Sequence, residues 1–150
     1  MPDSFVTQLQ CEFDVTAAPV TGNEFHSVCQ IWLETFCPNV KQKSGKWVYG
    51  GFQWHAYSFK FENALTEILA FEKYQSRPIT PFFIFDESND MLFDCFGESW
   101  PDLDSLNDDI YVIPRTMDWT FITTHEMSIG LGPYFAFPPT KLPLAERLIR

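Results

Sequence analysis

No lysine or arginine lies between Arg77 and Arg115, yet that interval holds nine carboxylates: Asp86, Glu87, Asp90, Asp94, Glu98, Asp102, Asp104, Asp108 and Asp109. The whole chain has ten basic residues against twenty acidic ones, a net charge of −10. A field of that sign repels phosphate backbones and anionic lipid, so direct nucleic-acid or membrane binding is disfavoured; a basic protein is the partner it attracts. Also missing is any apolar run near the ~20 residues that a membrane-spanning helix needs. The opening MPDSFVTQLQCEFD has no basic stretch leading into an apolar one, so it does not read as a signal peptide. The expectation is a soluble, cytoplasmic protein.

Motifs for chemistry are equally sparse. There is no GxSxG, no GxGxxG and no phosphate-binding loop, and the glycines of GLGP follow no strand-to-helix pattern. Cys11, Cys29, Cys37 and Cys95 form no CxxC and sit in or beside apolar patterns, which reads as buried free thiols. Paired acids such as Asp108-Asp109 could take a hard cation, but the DxDxDG spacing of a calcium loop is absent, so no metal or cofactor is expected. His125-Glu126 lacks the second histidine of HExxH. Neighbouring strand residues also point to opposite faces, so this pair would not touch. His26 and His55 read as structural.

What the chain does have is aromatic bulk: 17% of its residues, with sixteen Phe and five Trp. At 150 residues it is one domain, able to bury roughly 70% of its unfolded surface in a core of large rings. No repeat, low-complexity tract or linker divides it. In TGNEFHSVCQIWLETFCP, Thr21 and Glu24 have capping-box spacing, and Phe25, Val28, Cys29, Trp32, Leu33 and Phe36 form one apolar stripe. That predicts a helix stopped by Pro38. FENALTEILAFEKYQ predicts a second, with Ala64, Leu65, Ile68 and Leu69 on its apolar side. Between them lie the basic cluster Lys41, Lys43 and Lys46 and an aromatic corner of Trp47, Tyr49, Phe52, Trp54 and Tyr57.

From Ile79 the pattern becomes extended. ITPFFIFD and MLFDCF, joined by ESND, predict a hairpin, and DIYVIP, DWTFITTHE and PYFAFP predict three further strands. The tail KLPLAERLIR suggests a short closing helix. The expected fold is α+β: an antiparallel sheet of about five strands in the C-terminal half, covered on one face by the two N-terminal helices.

The segment DDIYVIPRTMDWTFITTHE followed by GLGPYF resembles a pattern in small bacterial proteins. The profile as a whole (small, acidic, aromatic-rich, without a catalytic motif) is similar to immunity proteins that neutralise bacterial toxins. That resemblance implies direct binding of a basic toxin and carries over no site residue. The expected docking groups come from the acid segment: Asp86, Glu87, Asp90, Asp94, Glu98, Trp100, Asp102, Asp104, Asp108 and Asp109, with Phe85, Phe93 and Phe96 as further apolar anchors. Nine carboxylates without internal countercharge repel one another, and a cationic partner relieves that repulsion while speeding encounter. The plain alternative is a set of solvated loop acids. Two other readings are a nucleic-acid mimic that occupies the basic groove of a nucleic-acid-binding complex, and a small enzyme or ligand-binding domain built on His125 and Glu126.

Overall fold

The computed structural model describes Leu9, residues 13–37, Tyr57, residues 63–103 and residues 108–139. The lysine cluster, most of the aromatic corner, His55, Cys11, Asp104 and the tail lie outside the described residues.

Seven strands form one sheet: β1 (Val15–Val20), β2 (Leu65–Thr66), β3 (Phe82–Asp86), β4 (Met91–Gly97), β5 (Ile110–Pro114), β6 (Thr120–Thr123) and β7 (Tyr134–Ala136). They lie in the order β1-β4-β3-β5-β6-β7-β2, and each neighbouring pair is antiparallel. The β3–β4 hairpin turns through Glu87–Asp90, the ESND link read from sequence. Helix α1 (Gly22–Phe36) follows β1, and α2 (Glu67–Gln75) follows β2.

Thr21 is the residue before α1 and has extended geometry, but its side chain makes no capping bond, so the capping box does not close. The apolar stripe does what its spacing requires. Val28, Trp32 and Phe36 are buried, and Phe25, Cys29 and Leu33 pack against the same cluster. Cys37 ends the helix, its N–H donating to Leu33 O at 2.9 Å, one residue before a proline that disfavours helical geometry at that position.

Two fold expectations are corrected. The helices do not share a face. The α1 residues pack with Phe85, Leu92, Tyr111, Ile122 and Tyr134, whereas Ala70 and Tyr74 of α2 pack with Phe82, Ile84, Phe93, Val112 and Phe121. Because successive strand residues point to opposite sides, these two sets are the two faces of one sheet. The physical reason lies in β5, whose five residues are all buried. A strand apolar on both faces needs a layer on each side.

The strand count is the second correction, since β1 and β2 come from the N-terminal half. β2 occupies Leu65–Thr66, inside the stretch read as helix, and pairs with β7. Helix α2 is correspondingly shorter, and its phase differs from the expected one. It buries Ala70 and Tyr74 while Ile68 and Leu69 face outward.

Two core rings tie the helices to the rest of the fold through their polar atoms. Trp32 Nε1 donates to Thr120 Oγ1 at 3.1 Å on the α1 side, and Tyr74 OH donates to Pro101 O at 2.6 Å on the other. The Tyr74 ring stacks on Phe121 at 4.0 Å, a flat contact that seats α2 on the sheet. Tyr57 is buried and stacks on Tyr134, so the described member of the aromatic corner belongs to the core.

Candidate functional site

Strand register decides which acids meet. Asp86 pairs with Met91 across the hairpin and with Ile110 on β5, and Ile110 in turn pairs with Thr123 on β6. The β3–β4 turn, the residues just before β5 and those just after β6 therefore share one end of the sheet. Asp86, Glu87, Asp90, Asp108, Asp109, His125 and Glu126 all fall there.

Each has a definite role in the local structure. Asp86 is buried and accepts from the Asn89 backbone N–H at 3.3 Å and from Asn89 Nδ2 at 2.8 Å, which fixes the turn. Asp90 takes the left-handed conformation at φ 55, one that aspartate tolerates better than most residues. Glu87 accepts a hydrogen bond from Tyr111 OH, and its N–H donates to Asp109 O at 3.1 Å. Asp109 is only 1% exposed. Its carboxylate accepts from Ser88 Oγ at 3.0 Å and from the His125 backbone N–H at 3.2 Å, and both of its oxygens lie 2.9 Å from His125 Nδ1. Thr123 Oγ1 donates to Asp108 O at 2.9 Å.

The electrostatics follow from this crowding. Partial desolvation raises the proton affinity of Asp108, the charges of Asp86 and Asp109 raise it further, and His125 opposes them. His125 is held above the usual imidazole range, first by its bond to Asp109, which outweighs the opposing desolvation, and then by the charges of Asp109, Glu126 and Asp108. Glu126 Oε1 stands 3.9 Å from His125 Nε2. The carboxylate that orients His125 is thus Asp109, sixteen positions earlier, while its sequence neighbour Glu126 stands at the edge of contact.

The remaining sequence-predicted residues lie elsewhere. Asp94 sits within β4 and bridges to Arg115, with Arg115 Nε 3.1 Å from its Oδ1. Glu98 and Asp102 are exposed beyond Gly97, where β4 pairs with the start of β1, at the far end of the sheet from the hairpin turn. Trp100 is buried against Phe82, Tyr74 and Trp119, with Nε1 donating to Arg77 O at 2.6 Å. Phe85 and Phe93 are buried too, leaving Phe96 as the exposed ring of that set.

Sequence reasoning missed the apolar groups that border the acidic end. A cleft of about 250 Å³, lined by Pro19, Val20, Phe25, His26, Asp90 and Met91, opens between the start of α1 and the hairpin turn. On the other flank a 3₁₀ turn (Met127–Ile129) directly follows Glu126 and leaves Ile129 70% exposed. Met127 lines a second recess with Ile68 and Phe71 of α2. The available signal was MSIGLG, where large apolar side chains stand in a glycine-punctuated turn.

Among the described residues no group of three His, Cys, Asp or Glu is arranged to hold a metal ion. No described helix is long and apolar enough to cross a membrane. Cys29, Cys37 and Cys95 are free thiols; burial, with nearby acids, pushes Cys29 up to about 11 and Cys95 up to about 12.

An α+β fold built on one antiparallel sheet, with an acidic end where three segments meet, is the class that fold and site define. The family model described as a domain of unknown function (DUF4275) matches residues 16–135, which run from β1 to β7, and the chain belongs to that family. No curated protein and no solved structure matches it.

Proposed function

We propose that this chain is a non-enzymatic binding protein that neutralises a basic protein partner, a bacterial toxin on the resemblance noted above, through the acidic end of its sheet. One observation carries the reading: Asp86, Glu87, Asp90, Asp108, Asp109 and Glu126 converge there, and the proton affinity of Asp108, raised first by desolvation, is raised further by repulsion from Asp86 and Asp109. A cationic surface relieves that repulsion. The exposed apolar groups on both flanks, Ile129 among them, supply the contact area that charge alone does not.

The test neutralises the exposed acids while leaving the buried ones in place. In Asp90→Asn/Asp108→Asn/Glu126→Gln, asparagine keeps the tolerance of position 90 for its left-handed backbone. Removing three rim charges weakens association with the basic partner by roughly tenfold or more at low salt, and the gap narrows as salt rises. An unchanged affinity in the folded triple variant refutes this docking end.

A second reading rests on the Asp109–His125 contact, because a buried carboxylate that holds imidazole Nδ1 is the arrangement a general base uses. It makes the chain a small enzyme with His125 as its base. Full biological activity in a folded His125→Ala variant removes it.

A further inference from the structure

We propose that Asp109 and His125 form a proton-operated latch that fastens the turn after β6 to the start of β5 and to the β3–β4 turn. The latch stands on geometry and is independent of the docking reading.

Asp109 is the inner half, 1% exposed, and its side chain touches two of the other segments directly: Ser88 Oγ at 3.0 Å and His125 N and Nδ1 at 3.2 and 2.9 Å. Its carbonyl adds the Glu87 N–H at 3.1 Å. Three segments are drawn together on one buried carboxylate. His125 is the outer half, with its side chain 42% exposed, so its ring exchanges protons with water without any opening of the fold.

The charged groups around the ring come from each of these elements. Asp109 and Asp108 face it from the start of β5, and Glu126 faces it from its own turn. Glu87 and Asp86 stand behind them at the hairpin, bonded to Asp109 O and acting on Asp108 respectively. All five are acids. A neutral imidazole with its proton on Nδ1 still donates to Asp109, whereas the imidazolium adds the attraction of opposite charges across the same contact. Protonation therefore tightens the latch.

The upward shift of His125, caused first by its bond to Asp109, agrees. A folded-state value above the unfolded one means that the folded chain binds the proton more tightly. The stabilisation is complete below the ordinary imidazole value of about 6.5 and is lost as pH rises through the folded-state value.

The full chain and His125→Gln are compared by urea denaturation from about pH 5.5 to about pH 8.5, with the histidine ring titrated by NMR. The wild-type folding equilibrium falls relative to the variant by up to about tenfold per pH unit within that window. Exchange protection of the Glu87 and His125 amides, both bonded to Asp109, falls with it. Identical pH profiles for the two proteins overturn the proposal, as does an His125 titration at the ordinary imidazole value. In Asp109→Asn the His125 titration must move down, and an unmoved titration overturns it too. If that variant does not fold, the first comparison decides alone.

Discussion

Two neighbouring aspartates should respond to the same substitution with opposite signs. Asp108→Asn removes an exposed charge that repels Asp86 and Asp109, and its hydrogen-bonded group is the backbone carbonyl, which the change leaves intact. Exposed like-charge contacts are worth about 0.2–1 kcal/mol, so the variant gains stability of that order at pH 7. Asp109→Asn replaces one acceptor oxygen with an amide that only donates, and does so where Ser88 Oγ, His125 N and His125 Nδ1 all converge. Ser88 Oγ or His125 Nδ1 must then turn from donor to acceptor, and His125 loses its counter-charge. A buried, charge-assisted group lost in this way costs about 1.5–3 kcal/mol. Urea midpoints at pH 7, read with an unchanged m-value, separate the two variants by about 2–4 kcal/mol. The Asp108 gain also has a pH signature. Its raised folded-state value means that the wild type recovers the penalty as pH falls through that value toward about 3.9, so the advantage of Asp108→Asn disappears in acid. Midpoints that shift in the same direction for both variants refute the assignment of one acid as strained and the other as structural.

Three further outcomes follow from the same structure. Cys29 and Cys95, pushed up to about 11 and about 12, stay unmodified by iodoacetamide in the native chain at neutral pH and react only on unfolding, as mass spectrometry of the labelled chain reads directly. Phe121→Ala, which removes the ring stacked on Tyr74, costs about 3–5 kcal/mol, whereas Ile68→Ser on the outward face of α2 stays within about 0.5 kcal/mol by urea denaturation. Affinity for the basic partner rises with pH through the His125 titration, because imidazolium offsets part of the acidic field; titration calorimetry at two pH values in wild type and His125→Gln measures the difference.

The elements that sequence made plain are those whose local pattern and tertiary role agree. The i, i+3, i+4 stripe from Phe25 to Phe36 became the buried side of α1, and ESND became the hairpin turn. β1 stayed hidden because Ala17, Ala18 and Pro19 have weak strand preference, and pairing with β4 overrides it. α2 went out of phase because Leu65 and Thr66, taken as part of the helix, instead pair with Phe135 and Tyr134.

The site was half legible for a related reason. Composition drew attention to the acid segment, but only register could divide it into Asp86 to Asp90 with Asp108 and Asp109 at one end, and Glu98 and Asp102 at the other. The alternation argument set Glu126 aside, but both residues lie in the turn after β6, where Glu126 Oε1 comes within 3.9 Å of His125 Nε2. The actual partner, Asp109, is reached by pairing DIYVIP with DWTFITT so that Ile110 lies opposite Thr123. That contact depends on how two strands are aligned, which no single strand encodes.

The central claim is that the acidic end is where a partner docks, and hydrogen-exchange mass spectrometry of the chain with and without its captured basic partner tests it most directly. The account predicts new protection in residues 86–90, 108–109 and 125–129, with residues 98–102 at the far end of the sheet unchanged. Protection confined to residues 98–102, with the acidic end exchanging as in the free chain, contradicts it.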